Sequence, residues 1–207
     1  LFGPLHAKAA STGIPPAHAV PMVSFCDLPL SLIRKHLHEY GNFGIGLNKE
    51  WGIKNGITPV FYVHERSEMF KAVISQMSAM KDDNELKLLA AYMKPYRGNA
   101  WRDGKAQIDI HFYDEREWRY VPRVAANEQF FLTREEHTNK EKTAELHASF
   151  KQKYKLIVHP NDIQYLIVPD DGHILELVKH LRKLYNPDDA TLVTTAIMTT
   201  DCIHEDV

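Results

Sequence analysis

Glu115 and Glu117 stand one residue apart in Tyr113-Asp-Glu-Arg-Glu-Trp-Arg-Tyr-Val-Pro122. The preceding Ile108-Asp-Ile-His-Phe112 predicts that this stretch is a β-strand. Side chains alternate between the faces of a strand, which places Tyr113, Glu115, Glu117 and Arg119 on one face and Asp114, Arg116, Trp118 and Tyr120 on the other. A strand-borne carboxylate, oriented by a second acid or by Tyr113, can stabilise positive charge developing on a sugar carbon as a glycosidic bond breaks. The same residues also suit a cross-strand ion-pair lattice in which Arg116 and Arg119 meet neighbouring acids, contributing a few tenths of a kcal/mol up to about 1 kcal/mol per pair. The pattern leaves both readings open. Asp and Glu are poor strand formers, so their density here calls for partners or a function.

Other candidate chemistry is thinner. Aromatic and cationic residues interleave at Tyr92–Trp101 and Trp118–Arg123; such mixtures stack on bases and hold phosphates, and they equally cover the edge of a core. The 12 histidines suggest a metal, yet His36-x-His38 puts its two rings on different helix faces, unlike an i, i+4 ligand pair. No P-loop, GxSxG, HExxH or paired CxxC occurs. Gly44-Ile-Gly46 is too short for a nucleotide-binding loop and reads as a strand whose missing side chains admit a backbone, a packed aromatic or a ligand.

The chain that positions these residues has 207 amino acids, 44% hydrophobic and 25% charged, with a formal charge of −2. That is a soluble globular composition, and the charge argues against a large basic nucleic-acid surface while leaving room for a local patch. Cys26 and Cys202 are the only cysteines; they exclude a disulfide framework and fit a reducing cytoplasm. No run of about 18 apolar residues predicts a membrane span. The first residue is Leu1, and the opening stretch has no signal-peptide pattern, so the expectation is a chain that begins inside a longer native protein.

Leu1–Val20 reads as irregular, and residues 21–207 as a single domain. Pro21–Cys26 is a short buried strand. Asp27 caps a helix over Leu28–Tyr40 that Gly41 closes. Phe43–Leu47 is the glycine-bearing strand, Asn48–Asn55 a short helix and Thr58–Val63 a strand with its proline at the entrance. Apolar spacing predicts one broken or two consecutive helices over Ser67–Tyr92. Pro95–Gly104 reads as a loop. A helix follows at Thr133–His147. Strands at Tyr154–Val158, Ile163–Val168 and Ala190–Met198, with a helix over Gly172–Leu184, make a C-terminal β–α–β unit, and Thr200 or Asp201 caps a last turn or helix. The fold class is α+β, a mixed β-sheet with flanking helices.

Read together, Met22-Val-Ser-Phe-Cys-Asp-Leu-Pro-Leu30, His38-Glu-Tyr-Gly-Asn-Phe-Gly-Ile-Gly-Leu-Asn-Lys-Glu50, Gly56-Ile-Thr-Pro-Val-Phe-Tyr62, Tyr113–Pro122 and Ile163–Ile203 resemble the AbiGi-type abortive phage infection proteins of bacteria. The ordered set covers most of the chain from Pro21 onward. The resemblance implies a part in phage defence as a toxin–antitoxin component, with a cognate toxin or another defence protein as partner. The same order of segments is similar, more distantly, to ADP-ribosyltransferases. That likeness implies NAD as cofactor, nucleic acid or protein as acceptor, Glu117 as catalytic acid with Glu115 and Tyr113 beside it, and Tyr40 or Phe43 as the aromatic on nicotinamide, with Arg119 among the cofactor-binding residues. The upstream residue that holds NAD in those enzymes has no match in this chain.

Overall fold

The computed structural model describes residues 20–79, 84–102, 105–124, 132 and 134–206. In chain order the first elements are β1 (Val23–Cys26), α1 (Ile33–Tyr40), β2 (Gly44–Leu47), α2 (Lys49–Lys54), β3 (Thr58–Pro59) and β4 (Phe61–Val63). Next come α3 (Glu68–Ala79), α4 (Asn84–Ala91), β5 (Met93–Pro95), β6 (Arg97–Arg102), β7 (Lys105–His111) and β8 (Glu117–Tyr120). The last are α5 (Arg134–Thr138), α6 (Lys140–Lys153), β9 (Ile163–Val168), α7 (Asp171–Leu184), α8 (Pro187–Thr194), β10 (Ile197–Thr199) and α9 (Thr200–Asp206). Helices beside small mixed sheets make this an α+β fold, with residue contacts gathered into two compact units.

The first unit takes the chain up to Asp27 together with Ile57–Lys155. Its main sheet has the order β1-β8-β3, antiparallel throughout, with Ser24 and Thr58 both opposite Arg119 and Cys26 opposite Glu117. Pro59 sits on the outer strand β3, where a missing N–H costs least. Strands β4 and β5 pair in parallel, and β6 and β7 form an antiparallel hairpin with a register shift between Gly98 and Ala100. The core gathers Val20, Ala91, Val121 and Phe150, joined by Met22, Leu88, Tyr92, Leu146 and Tyr154, so that α4 and α6 close over the ends of β1 and β8. Helix α6 starts where Asn139 accepts a hydrogen bond from the Lys142 N–H at 3.1 Å.

The second unit joins Leu28–Gly56 to Leu156–Val207. Its sheet runs β10-β9-β2, with β10 parallel and β2 antiparallel to β9. Strand β9 is buried from Leu166 to Val168, where three apolar residues follow one another and both faces are covered. Ile167 packs with Ile33, Leu37 and Ile203 on one face, and Leu166 with Leu181 and Val193 on the other. A β-carbon built on Gly46 would lie 2.0 Å from the Tyr165 ring, so a packed aromatic occupies the space left by that glycine.

Several sequence expectations change. The strand expected from Tyr113 breaks: Phe112–Glu115 is a 3-10 turn, and Arg116 is left-handed at φ 43° before β8 begins. The acids there favour the turn over an extended ladder. The expected loop Pro95–Gly104 supplies the end of β5 and all of β6, because β7 offers it a hairpin partner. Thr58–Val63 divides between two sheets. Tyr154–Val158 is not a strand; the Ile157 carbonyl accepts a hydrogen bond from the Trp51 indole at 2.9 Å. Ala190–Met198 is not one strand either, since Asn186 caps α8 with Pro187 in its first turn, and the unit becomes β–α–α–β. Asp27 caps no helix: a 3-10 turn at Leu30–Leu32 precedes α1. Thr199, not Thr200 or Asp201, accepts the hydrogen bond from Cys202 N–H at the start of α9. The helix over Thr133–His147 is two, α5 and α6, and its Thr133 lies outside the described residues, as does Leu1–Ala19 of the irregular opening.

Candidate functional site

Glu117 opens β8 and is 7% exposed, the centre of a charged cluster inside the first unit. The strand pairing sets Ser24 beside it, and the Ser24 hydroxyl donates to Oε1 at 2.8 Å. Two residues along β8 on the same face, Arg119 donates from Nε to Oε1 at 2.6 Å and from Nη2 to Oε2 at 3.2 Å. Lys94 in β5 donates from Nζ to Oε2 at 2.5 Å, and the same ammonium holds Glu115. The backbone N–H of Glu117 donates to the Tyr62 hydroxyl at 2.7 Å. Arg119 also donates from Nη1 to the carbonyls of Ala91 and Met93, and so meets the carbonyl end of α4, where a cation is favoured.

Two acids and two bases thus balance in a nearly dry setting. Burial pushes the Glu117 carboxyl up, but the hydrogen bond and charge of Arg119, and behind them Lys94, more than offset it and hold the group at about 2 against an ordinary 4.5. The Tyr62 phenol is pushed up to about 12, chiefly by burial, with the charges of Glu117 and Glu115 adding to it. Because the Glu117 value is depressed in the folded chain, its stabilisation is full above pH 4.5 and is lost as pH falls from there toward 2. That shift corresponds to about 3 kcal/mol. Urea unfolding midpoints measured from pH 6 to 2.5 should fall along this window, and a flat profile would contradict the assignment.

Glu115 is not on the strand. It ends the 3-10 turn, and the left-handed Arg116 between the two acids swings Glu115 back so that both carboxylates reach Lys94. A left-handed non-glycine residue costs about 1–2 kcal/mol. Arg116→Gly is therefore expected to hold stability within about 0.5 kcal/mol of the parent, strain relief offsetting the freer unfolded chain. Arg116→Val should lose about 2 kcal/mol in the same denaturation assay.

Of the residues expected at the site, Glu115, Glu117 and Arg119 come together. Tyr113 lies beside them, its ring 5.3 Å from that of Tyr62 and 5.7 Å from that of Tyr96. Tyr40 and Phe43 belong to the second unit, where Tyr40 stacks on His36 at 4.3 Å and Phe43 meets the His173 ring edge-on at 5.5 Å. The ion-pair lattice takes an unexpected form, since Arg119 pairs along its own strand and the second cation is Lys94. Sequence reasoning missed Ser24, Tyr62 and Lys94. Ser24 and Tyr62 were legible only as strand residues, and nothing local to Met93-Lys-Pro95 announces its role. Among the described residues no group of three or more His, Cys, Asp or Glu side chains gathers to hold a metal ion, and no helix is long and apolar enough to cross a membrane.

The family described as "Putative abortive phage resistance protein AbiGi, antitoxin" matches residues 10–169, and the chain belongs to that AbiGi family. It is 32% identical over 177 residues to the abortive phage resistance protein AbiGi of Lactococcus lactis subsp. cremoris, spanning 72% of this chain and 71% of that relative. No solved structure matches it.

Proposed function

We propose that this protein acts in the cytoplasm as the antitoxin of an abortive-infection pair, restraining a cognate toxin or another defence protein by direct binding. The observation that carries this reading is the saturation of Glu117: Ser24, Arg119 and Lys94 together take both of its oxygens. A carboxylate so fully engaged ties strands together rather than waiting for a developing cation. The family description as antitoxin supports the same reading. Co-expression with the product of the neighbouring gene tests it. A stoichiometric complex and relief of that product's toxicity are expected, and failure of every operon product to bind would remove the proposal.

A second reading, transfer of ADP-ribose from NAD to nucleic acid or protein, draws on one specific observation: Glu117 is ionised at neutral pH and aligned by Ser24, as a cation-stabilising acid must be. Glu115 would then be its companion. Incubation with labelled NAD plus DNA, RNA and cell extract decides the matter, since the antitoxin reading expects no turnover. Glu117→Gln is informative in that assay only beside a measurement of folding, because the residue is also a buried ionic partner.

A further inference from the structure

Next to the charged cluster, the first unit carries a run of aromatic rings that neither the core nor the ion pairs account for. Tyr62 comes from β4, Tyr96 from the link between β5 and β6, and Tyr113 from the 3-10 turn before β8. The Tyr62 and Tyr113 rings meet at 5.3 Å and 72°, those of Tyr113 and Tyr96 at 5.7 Å and 37°, and His111 continues the run 5.9 Å beyond Tyr96. Rings that only seal a core are covered, as Phe150 is in this unit. Tyr113 and Tyr96 instead remain 54% and 39% exposed.

We propose that this face is a stacking site for the base of a nucleotide. The main chain that carries the rings is held in place by its own contacts. Tyr96 N–H donates to the Val63 carbonyl at 2.8 Å, and the segment bearing His111 and Tyr113 is bracketed by two left-handed non-glycine residues, Asp109 and Arg116. Such conformations persist where the surroundings impose them, and here they set the direction in which Tyr113 is offered. Rigid tyrosines lose little freedom on binding, and any planar heterocycle can lie on a π-face.

The electrostatics select a single nucleotide over a polymer. Arg97, the cation nearest in sequence to Tyr96, is engaged in a two-pronged pair with Asp109. The whole chain carries a formal charge of −2, which argues against a large basic surface of the kind that follows a phosphate backbone. The inference does not depend on the toxin-binding reading, because capture of a partner and titration with a mononucleotide are read separately.

The experiment is titration of the full chain with adenosine monophosphate and uridine monophosphate, followed by NMR of the tyrosine ring resonances. Saturable shifts of Tyr113 and Tyr96 are expected, with affinity weakened about tenfold or more by Tyr113→Leu and by Tyr96→Leu. Circular dichroism checks that each variant folds, and the Tyr96 variant carries the test if the Tyr113 variant does not. Absence of saturation at millimolar nucleotide, unchanged affinity in a folded variant, or binding of single-stranded RNA alone with a steep salt dependence would each overturn the proposal.

Discussion

Lys94→Met is expected to remove about 3–5 kcal/mol of stability, the usual cost of breaking a buried ion pair from one side. The ammonium it deletes is shared by Glu115 and Glu117, and these side chains are only 12% and 8% exposed. Methionine fills the space of the stem but leaves two carboxylates facing each other with Arg119 as the cation on Glu117. One of them must then take up a proton or draw in water. Arg123 and Glu85 offer the contrast: their ion pair is 81% and 72% exposed, so Arg123→Met should cost at most about 1 kcal/mol. Chemical denaturation of the two variants side by side gives the comparison. A loss below about 1 kcal/mol for Lys94→Met would mean that the cluster is far wetter than its burial indicates. Adding Glu115→Gln to Lys94→Met should recover part of the loss, because the second change removes one of the stranded charges.

The second large effect lies in the other unit. Gly46→Val is expected to destabilise by about 3 kcal/mol, at the upper end for forcing extra methyl groups into a filled space. The β-carbon would stand 2.0 Å from the Tyr165 ring, which packs with the cluster of Ile33, Leu37, Ile167 and Ile203 and so has a defined place to lose. Gly44, two residues earlier, supplies the control. Its added β-carbon would meet Ile167 at 3.4 Å, an ordinary contact, so Gly44→Ala should change stability by less than about 1 kcal/mol. Thermal melts of both variants check the difference. Tyr165→Ala, although costly by itself, should make a further Gly46→Ala substitution nearly free; a persistent penalty in that background would point to the backbone at Gly46 rather than to the ring.

What the sequence made legible follows from where the signals are local. The stripe of Ile174, Leu177, Val178, Leu181 and Leu184 announced α7, and the run Ile163-Gln-Tyr-Leu-Ile-Val168, rich in β-branched and aromatic residues, announced β9 with its bounds. Two signals were present and went unread. Asn186-Pro187 is a helix start, and it outweighed the β-branched residues that suggested a strand over Ala190–Met198. Asp103-Gly104, between Arg102 and Lys105, is the dipeptide that favours a hairpin turn, and β6 and β7 pair on either side of it. The charged centre was legible in part. Glu117 and Arg119 share a face by simple alternation, and the pair is real. Lys94 was beyond local reading, because only the parallel pairing of β4 with β5 carries it toward residues more than twenty positions away. The face assigned to Glu115 was right in outcome and wrong in cause, since a left-handed turn, not strand alternation, brings it to Lys94.

The double grip of Arg119 has a dynamic consequence. Its guanidinium holds the Glu117 carboxylate with one edge and the Ala91 carbonyl with another, so the last turn of α4 cannot fray without loosening β8. Fraying at a helix end is ordinarily nearly free, and amides there trade their protons with solvent quickly. Here the exchange of the final α4 amides should be slow and should share one opening free energy with the amides of β8, the signature of a single cooperative foldon assembled from a helix terminus and a strand.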